Sequence, residues 1–137
     1  MTVFVDTSIF YAAADRSDRS NDRAKRILGA GEPLVTSDHV LAESWLLLRH
    51  RLGRPAANAF WDGIRSGACS VESAGPADLE AAWSIGSAFA DQDFSIVDLT
   101  SFAVMQRLGV LRAATLDAHF AVFRFGRARD RAFEILR

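Results

Sequence analysis

Four carboxylates interrupt apolar segments of this chain, and that placement restricts both how it folds and what chemistry it can perform. Asp6 closes the run Val3-Phe4-Val5, and Glu43 lies between Val40-Leu41-Ala42 and Trp45-Leu46-Leu47-Leu48. Asp98 sits inside the segment from Phe94 to Phe102, and Asp117 closes Ala113-Ala114-Thr115-Leu116. Acids are rarely fully buried unless they are paired or bind a metal. Brought together by a fold, these four repel one another and attract a divalent cation.

A chain of 137 residues is long enough for one domain with a sizeable core, and residues 1–137 are read as a single domain. Half of the residues are hydrophobic and 24% are charged, an ordinary globular balance that excludes disorder as the main state. The net charge of −1 gives no global attraction to nucleic acid, so any such binding needs a local basic patch. The single Cys69 forms no internal disulfide and suits a reducing compartment. The opening residues have no basic leader, and no stretch is long and apolar enough to span a bilayer. A cytoplasmic location is the expectation.

Strand and helix signals alternate along the chain. Short apolar runs at Thr2–Val5, Leu34–Thr36 and Ala113–Leu116 read as strands buried on both faces, with a weak strand at Ser70–Glu72 and a last one at Phe133–Leu136. Helices are expected over Ser8–Ala14, Arg23–Leu28, from Ser37 or Asp38 to Leu52, Ala56–Arg65, Ala77–Ala90 and Ser95–Leu108. Their ends are marked by Gly29, Gly53, Gly67 and Gly109. The polar stretch from Asp15 to Asp22 reads as a turn. This alternation implies an α/β fold with a mostly parallel sheet and helices on both faces. Such sheets bind ligands beyond the carboxyl ends of their strands, where strand order reverses. Asp6 and Asp117 each follow an expected strand, so two strands deliver an acid to the same rim.

Each acid also has an ordinary structural role. Asp6 caps the helix that follows it, through the Asp6-Thr7-Ser8 run. Ser95 and Asp98 form a capping box, with Asp in place of the usual Glu or Gln. Asp117 opens a turn. Glu43 is the hardest to explain structurally, because its helical neighbours are His39, Val40, Leu46 and Leu47, a mainly apolar face. Taken together, the four favour a shared functional site. A set of hard oxygen ligands, without paired Cys or paired His, points to Mg²⁺ or Mn²⁺. Such an ion activates water for in-line attack on phosphorus, so the residues describe a metal-dependent phosphodiesterase. His39 and His119 read as structural or outer groups rather than ligands.

The same residues carry a family resemblance. Val3-Phe4-Val5-Asp6-Thr7-Ser8, the segment from Ser37 to Glu43, Asp91-Gln92-Asp93-Phe94-Ser95-Ile96-Val97-Asp98, and Thr115-Leu116-Asp117-Ala118-His119-Phe120 together resemble the motifs of a PIN domain. Their order, and the chain length, are similar to the VapC-type toxins of bacterial toxin–antitoxin pairs. The resemblance covers nearly the whole chain. It implies a PIN-like three-layer α/β/α fold with a short, mostly parallel sheet. It also implies an acidic quartet of Asp6, Glu43, Asp98 and Asp117 that binds Mg²⁺ or Mn²⁺ and cleaves RNA. Asp93 becomes a secondary metal-site candidate, and Thr7 and Ser95 become the hydroxyl residues that orient the carboxylates. A cognate antitoxin and a homodimer are the implied protein partners.

RNA grip must come from outside an acidic pocket. Arg112, Arg124, Arg127, Arg129 and Arg131, interleaved with Phe120, Phe123 and Phe125, are candidates for phosphate binding and base stacking, although the phenylalanines are equally core residues. Trp45, Trp61 and Trp83 are either core or a surface for self-association. Two other functions compete with the nuclease: a catalytically idle PIN-like interaction module, and a receiver-like phosphoacceptor that binds Mg²⁺ through strand-end acids. The receiver reading lacks paired acids after the first strand, and Lys25 is the only lysine.

Overall fold

A computed structural model describes residues 1–137. Five short strands, β1 (Val3–Val5), β2 (Leu34–Ser37), β3 (Ser70–Glu72), β4 (Arg112–Ala114) and β5 (Glu134–Leu136), form one sheet in the order β3-β2-β1-β4-β5. Every neighbouring pair is parallel, with Phe4 opposite both Val35 and Ala113. The chain steps outward from β1 to β2 and β3, then crosses back to β4 and β5. The reversal therefore falls between β1 and β4, and both strands end in the segments that carry Asp6 and Asp117.

Seven α-helices cover the sheet: α1 (Thr7–Ala14), α2 (Asn21–Leu28), α3 (Asp38–Leu52), α4 (Arg54–Gly63), α5 (Pro76–Ala88), α6 (Ile96–Leu108) and α7 (His119–Val122). The result is a three-layer α/β/α fold. Fully buried Val3, Phe4 and Val5 meet Ile9, Val40, Phe102 and Ala113 in one continuous core. Phe102 stacks on Phe123 at 4.4 Å, and Phe120 meets Phe102 edge-on at 5.0 Å. Each such buried ring contributes about 1.5–3 kcal/mol of transfer free energy, so α6 is anchored by its aromatic face.

Local chemistry sets the helix that carries Asp98. Ser95 Oγ accepts the Asp98 N–H at 3.0 Å while Asp98 Oδ2 accepts the Ser95 N–H at 3.0 Å, completing the expected capping box. Gly109 closes the helix in the left-handed region at φ 68°, a conformation that disfavours a side chain. Arg107 donates to both oxygens of buried Asp78 at 2.9 and 3.1 Å, pinning α6 to α5. That guanidinium holds the Asp78 carboxyl below the usual carboxylate range. At Gly86 the two helices come so close that a Cβ there would lie 3.2 Å from Leu99 Cδ1.

Several boundaries differ from the sequence expectation. α2 begins at Asn21, inside the stretch read as a turn, because the Asn21 side chain donates to the Ala12 carbonyl at 2.8 Å and ties the helix to α1. β4 ends at Ala114 rather than Leu116, so Asp117 stands in a turn three residues beyond the strand. The four-residue α7 and a wide helical turn at Ile64–Ala68 carry too short a pattern to be read from periodicity.

Candidate metal centre

The first acid is fixed by the sheet itself. The Asp6 N–H donates to the Ala114 carbonyl at 3.0 Å, extending the β1–β4 ladder by one step. The residue is 5% exposed, and its carboxyl caps α1. Ser8 Oγ and Thr115 Oγ1 each donate to Asp6 Oδ2 at 2.9 Å. Burial outweighs these hydrogen bonds and pushes the Asp6 carboxyl up from an ordinary value of 3.8 to about 6. An acid held in this way is poised to gain from a nearby cation.

Asp98, Asp117 and His119 form the tightest group, each offering a ligand atom within 4.8 Å of the others. Asp98 is 6% exposed and enters from the first turn of α6. Asp117 Oδ1 accepts the His119 N–H at 2.9 Å, a local turn that presents the next helix. The His119 ring folds back over both acids. Its Nδ1 is 2.8 Å from Asp98 Oδ2 and 3.4 Å from Asp117 Oδ1. A carboxylate oxygen only accepts, so Nδ1 carries the proton in this bond. Burial alone would pull the imidazole down. The hydrogen bond to Asp98, with the charges of Asp117, Asp98 and Asp93, outweighs it and holds His119 above its usual value.

The remaining candidates occupy distinct positions. Glu43 lies half-buried on α3, one turn past His39 and beside Ser44, and stands outside the 4.8 Å group, as does Asp6. Its helix is tied to α6 by a 3.1 Å contact between His39 Nδ1 and Thr100 Oγ1, and to α1 by Ser44 Oγ donating to Thr7 Oγ1 at 3.3 Å. Asp93 is exposed, but its charge is felt at His119. The Thr7 hydroxyl serves the helix contact with Ser44, while its backbone N–H meets the Asp6 carboxyl. Ser8 and Thr115 hold Asp6, and Ser95 acts on Asp98 through its backbone N–H.

His119 matches the expected outer group, whereas Thr115 is a site residue that the sequence does not single out. The available signal was their spacing to Asp117, two residues on either side, which allows the turn bonds seen here. Cys69 is buried, with its thiol pushed up to about 12 by desolvation, and takes no part.

Two carboxylates beside an imidazole, next to a third acid whose charge is penalised by burial, fit a divalent cation by donor chemistry. The oxygen-rich set suits a hard divalent cation. The basic segment turns its phenylalanines inward and leaves most of its arginines on the surface. Phe120, Phe123 and Phe125 are buried in the core. Arg112 is spent on Glu32 at 3.0 Å, and Arg124 donates to the carbonyls of Ala121, Val122 and Phe123. Arg127, Arg129 and Arg131 are exposed, with Arg129 5.6 Å over the Phe89 ring and Arg131 5.1 Å over that of Phe125.

Comparison with known proteins identifies the family and the fold. The family model described as the PIN domain matches residues 3–126. A 23S rRNA-specific endonuclease, VapC20 of Mycobacterium tuberculosis, is 39% identical over 129 residues, covering 93% of this chain and 98% of that protein. The crystal structure of M. tuberculosis VapC20, described as a sarcin–ricin loop cleaving toxin, superposes with a TM-score of 0.82 at 36% identity. The match covers 88% of this chain and 93% of that one. The VapBC2 complex of Rickettsia felis shares the fold at a TM-score of 0.68 and 14% identity, over 89% of this chain and 92% of that one.

Proposed function

The chain belongs to the PIN-domain family, and from that premise we propose that it is a metal-dependent endoribonuclease, the toxin of a toxin–antitoxin pair. The observation that carries the reading is the meeting of Asp98, Asp117 and His119 at the switch point of a parallel sheet. There the hydroxyl of Thr115 links them to Asp6. Asp6, Glu43, Asp98 and Asp117 are the proposed catalytic and metal-binding residues. A relative that is 39% identical is a ribosomal-RNA endonuclease, which makes a structured ribosomal RNA loop the first substrate to test.

When bound, a divalent cation supplies Lewis acidity toward the scissile phosphate and lowers the pKa of water. The chain does the positioning. Ser8 and Thr115 fix Asp6 Oδ2, the Ser95 N–H and His119 fix Asp98 Oδ2, and the turn at Asp117 directs its Oδ1 toward the same point. Asp117, with about a third of its side chain exposed, is more open to solvent than Asp6 or Asp98 and is placed to take a proton from water. The deep placement of Asp6 and Asp98 keeps both carboxylates in register without substrate.

A toxin of this kind implies a cytoplasmic antitoxin, and no helix is long and apolar enough to cross a membrane. Two apolar grooves are available for the antitoxin and for a second copy of the chain. Leu41, Ala42, Trp45, Leu46 and Trp61 line one, and Phe10, Ala13, Leu28, Ala56 and Phe60 line the other. The idle-module reading shares the fold and differs in having no turnover. Sequencing RNA 5′ ends after brief expression of the wild type and Asp98→Asn separates the two. Discrete new ends with the wild type alone support the nuclease, and identical profiles reject it.

A further inference from the structure

The position of His119 relative to the two acids has a consequence for how the ion is taken up. Its backbone N–H holds Asp117 Oδ1 at 2.9 Å, while its ring nitrogen bonds Asp98 Oδ2 at 2.8 Å and faces Asp117 Oδ1 at 3.4 Å. One residue therefore draws together two carboxylates from different elements, α6 and the turn after β4. Asp98 Oδ2 also accepts the Ser95 N–H at 3.0 Å, so it already meets two donors. The ring packs against Phe94 at nearly a right angle, with ring centroids 5.3 Å apart. About a third of the His119 side chain is exposed, which leaves the ring a path outward.

We infer that His119 competes with the metal ion for the Asp98–Asp117 pair, holding the two acids until the ion takes its bond to Asp98. The inference rests on the metal-nuclease reading and adds a control element to it. The reasoning is one of shared electron pairs. A donor proton and a cation both draw on Asp98 Oδ2, and the Ser95 N–H, fixed by the helix cap, is the donor that cannot leave. The imidazole is the one that can turn away. His119 is thus a positioning residue that trades metal affinity for order in the metal-free protein.

The test is calorimetric titration of Mg²⁺ and of Mn²⁺ into the whole chain, at one pH and ionic strength. Wild type is compared with His119→Ala, His119→Phe and His119→Asn, with melting curves to verify folding. His119→Phe keeps a ring against Phe94 and covers the case in which His119→Ala does not fold. His119→Asn restores an N–H near the place of Nδ1. The expected result is an affinity raised about two- to tenfold in the Ala and Phe variants, the exchange value of one hydrogen bond. His119→Asn should return it to the wild-type value. Weaker binding in the Ala and Phe variants would overturn the inference by making the imidazole a ligand. Unchanged binding would overturn it by showing that the bond does not compete. Failure of the wild type itself to bind either ion would reject the metal-nuclease reading and this inference with it.

Discussion

Thr115 stands between the first and last acids of the site: its hydroxyl donates to Asp6 Oδ2 at 2.9 Å and accepts the Asp117 N–H at 2.9 Å. A single side chain thus couples the end of β1 to the turn after β4. Ser8 doubles the link, since its Oγ donates to Asp6 and accepts the Leu116 N–H at 2.8 Å. The registry of the acids is therefore set by two hydroxyls rather than by the sheet alone.

Thr115→Val removes that coupling at nearly constant shape. It leaves a buried carboxyl and a backbone N–H short of a partner, so a stability loss of about 1–3 kcal/mol is expected. Cleavage should fall about 10–100-fold, as for loss of a group that orients a metal ligand. Thermal melts and single-turnover cleavage check both. Wild-type activity in the variant would show that Thr115 does not set the site.

Asp6 gives the metal-free protein a defined pH response. Its carboxyl lies at about 6 in the folded chain against 3.8 ordinarily, so the folded state holds the proton longer. Stability from this group is fully present below about pH 4 and is lost as pH rises through about 6. The loss is on the order of 3 kcal/mol. Asp6→Asn should flatten that part of the stability profile and raise the melting temperature at neutral pH without metal, while cleavage is lost. Denaturant melts across pH measure it. An unchanged slope would place the buried charge elsewhere.

Much of this was legible in the sequence. The runs around Val3–Val5 and Ala113 are short and apolar, and a strand buried on both faces has to look like that. The capping box at Ser95 and Asp98 is a local signal and forms as spelled. A lone histidine carries no periodicity, so the sequence leaves His119 as a structural or outer group without naming its partner. Its role comes from the turn at Asp117 folding it onto Asp98, a contact across 21 positions. The Arg and Phe interleaving near the C-terminal end leaves two readings open in the sequence, because alternation cannot say which partner faces inward. The structure buries Phe123 and Phe125 and leaves Arg124 on backbone carbonyls. Glu43 was singled out by its apolar neighbours, and its distance from the tight group depends on helix packing that no local pattern encodes.

Ser101 offers a control on the same helix. It lies one turn after Asp98, and its hydroxyl is buried without a hydrogen-bond partner. Ser101→Ala removes an unsatisfied group and should stabilise the chain by about 1 kcal/mol, with metal affinity unchanged. Differential scanning calorimetry beside a Mn²⁺ titration reads both quantities. A drop in metal affinity would mean that the hydroxyl serves the site.

The central claim, that the acids at the β1–β4 switch point bind a metal that cleaves RNA, is tested most directly by one titration. Purified chain and a ribosomal RNA fragment are incubated with chelator and then with rising Mn²⁺ or Mg²⁺, wild type beside folded Asp98→Asn. The expected result is no cleavage in chelator, discrete products that appear with metal, and a rate lowered more than about 100-fold in the variant, beyond the cost of losing an outer partner. Cleavage that persists in chelator, or an Asp98→Asn variant as active as wild type, would contradict it.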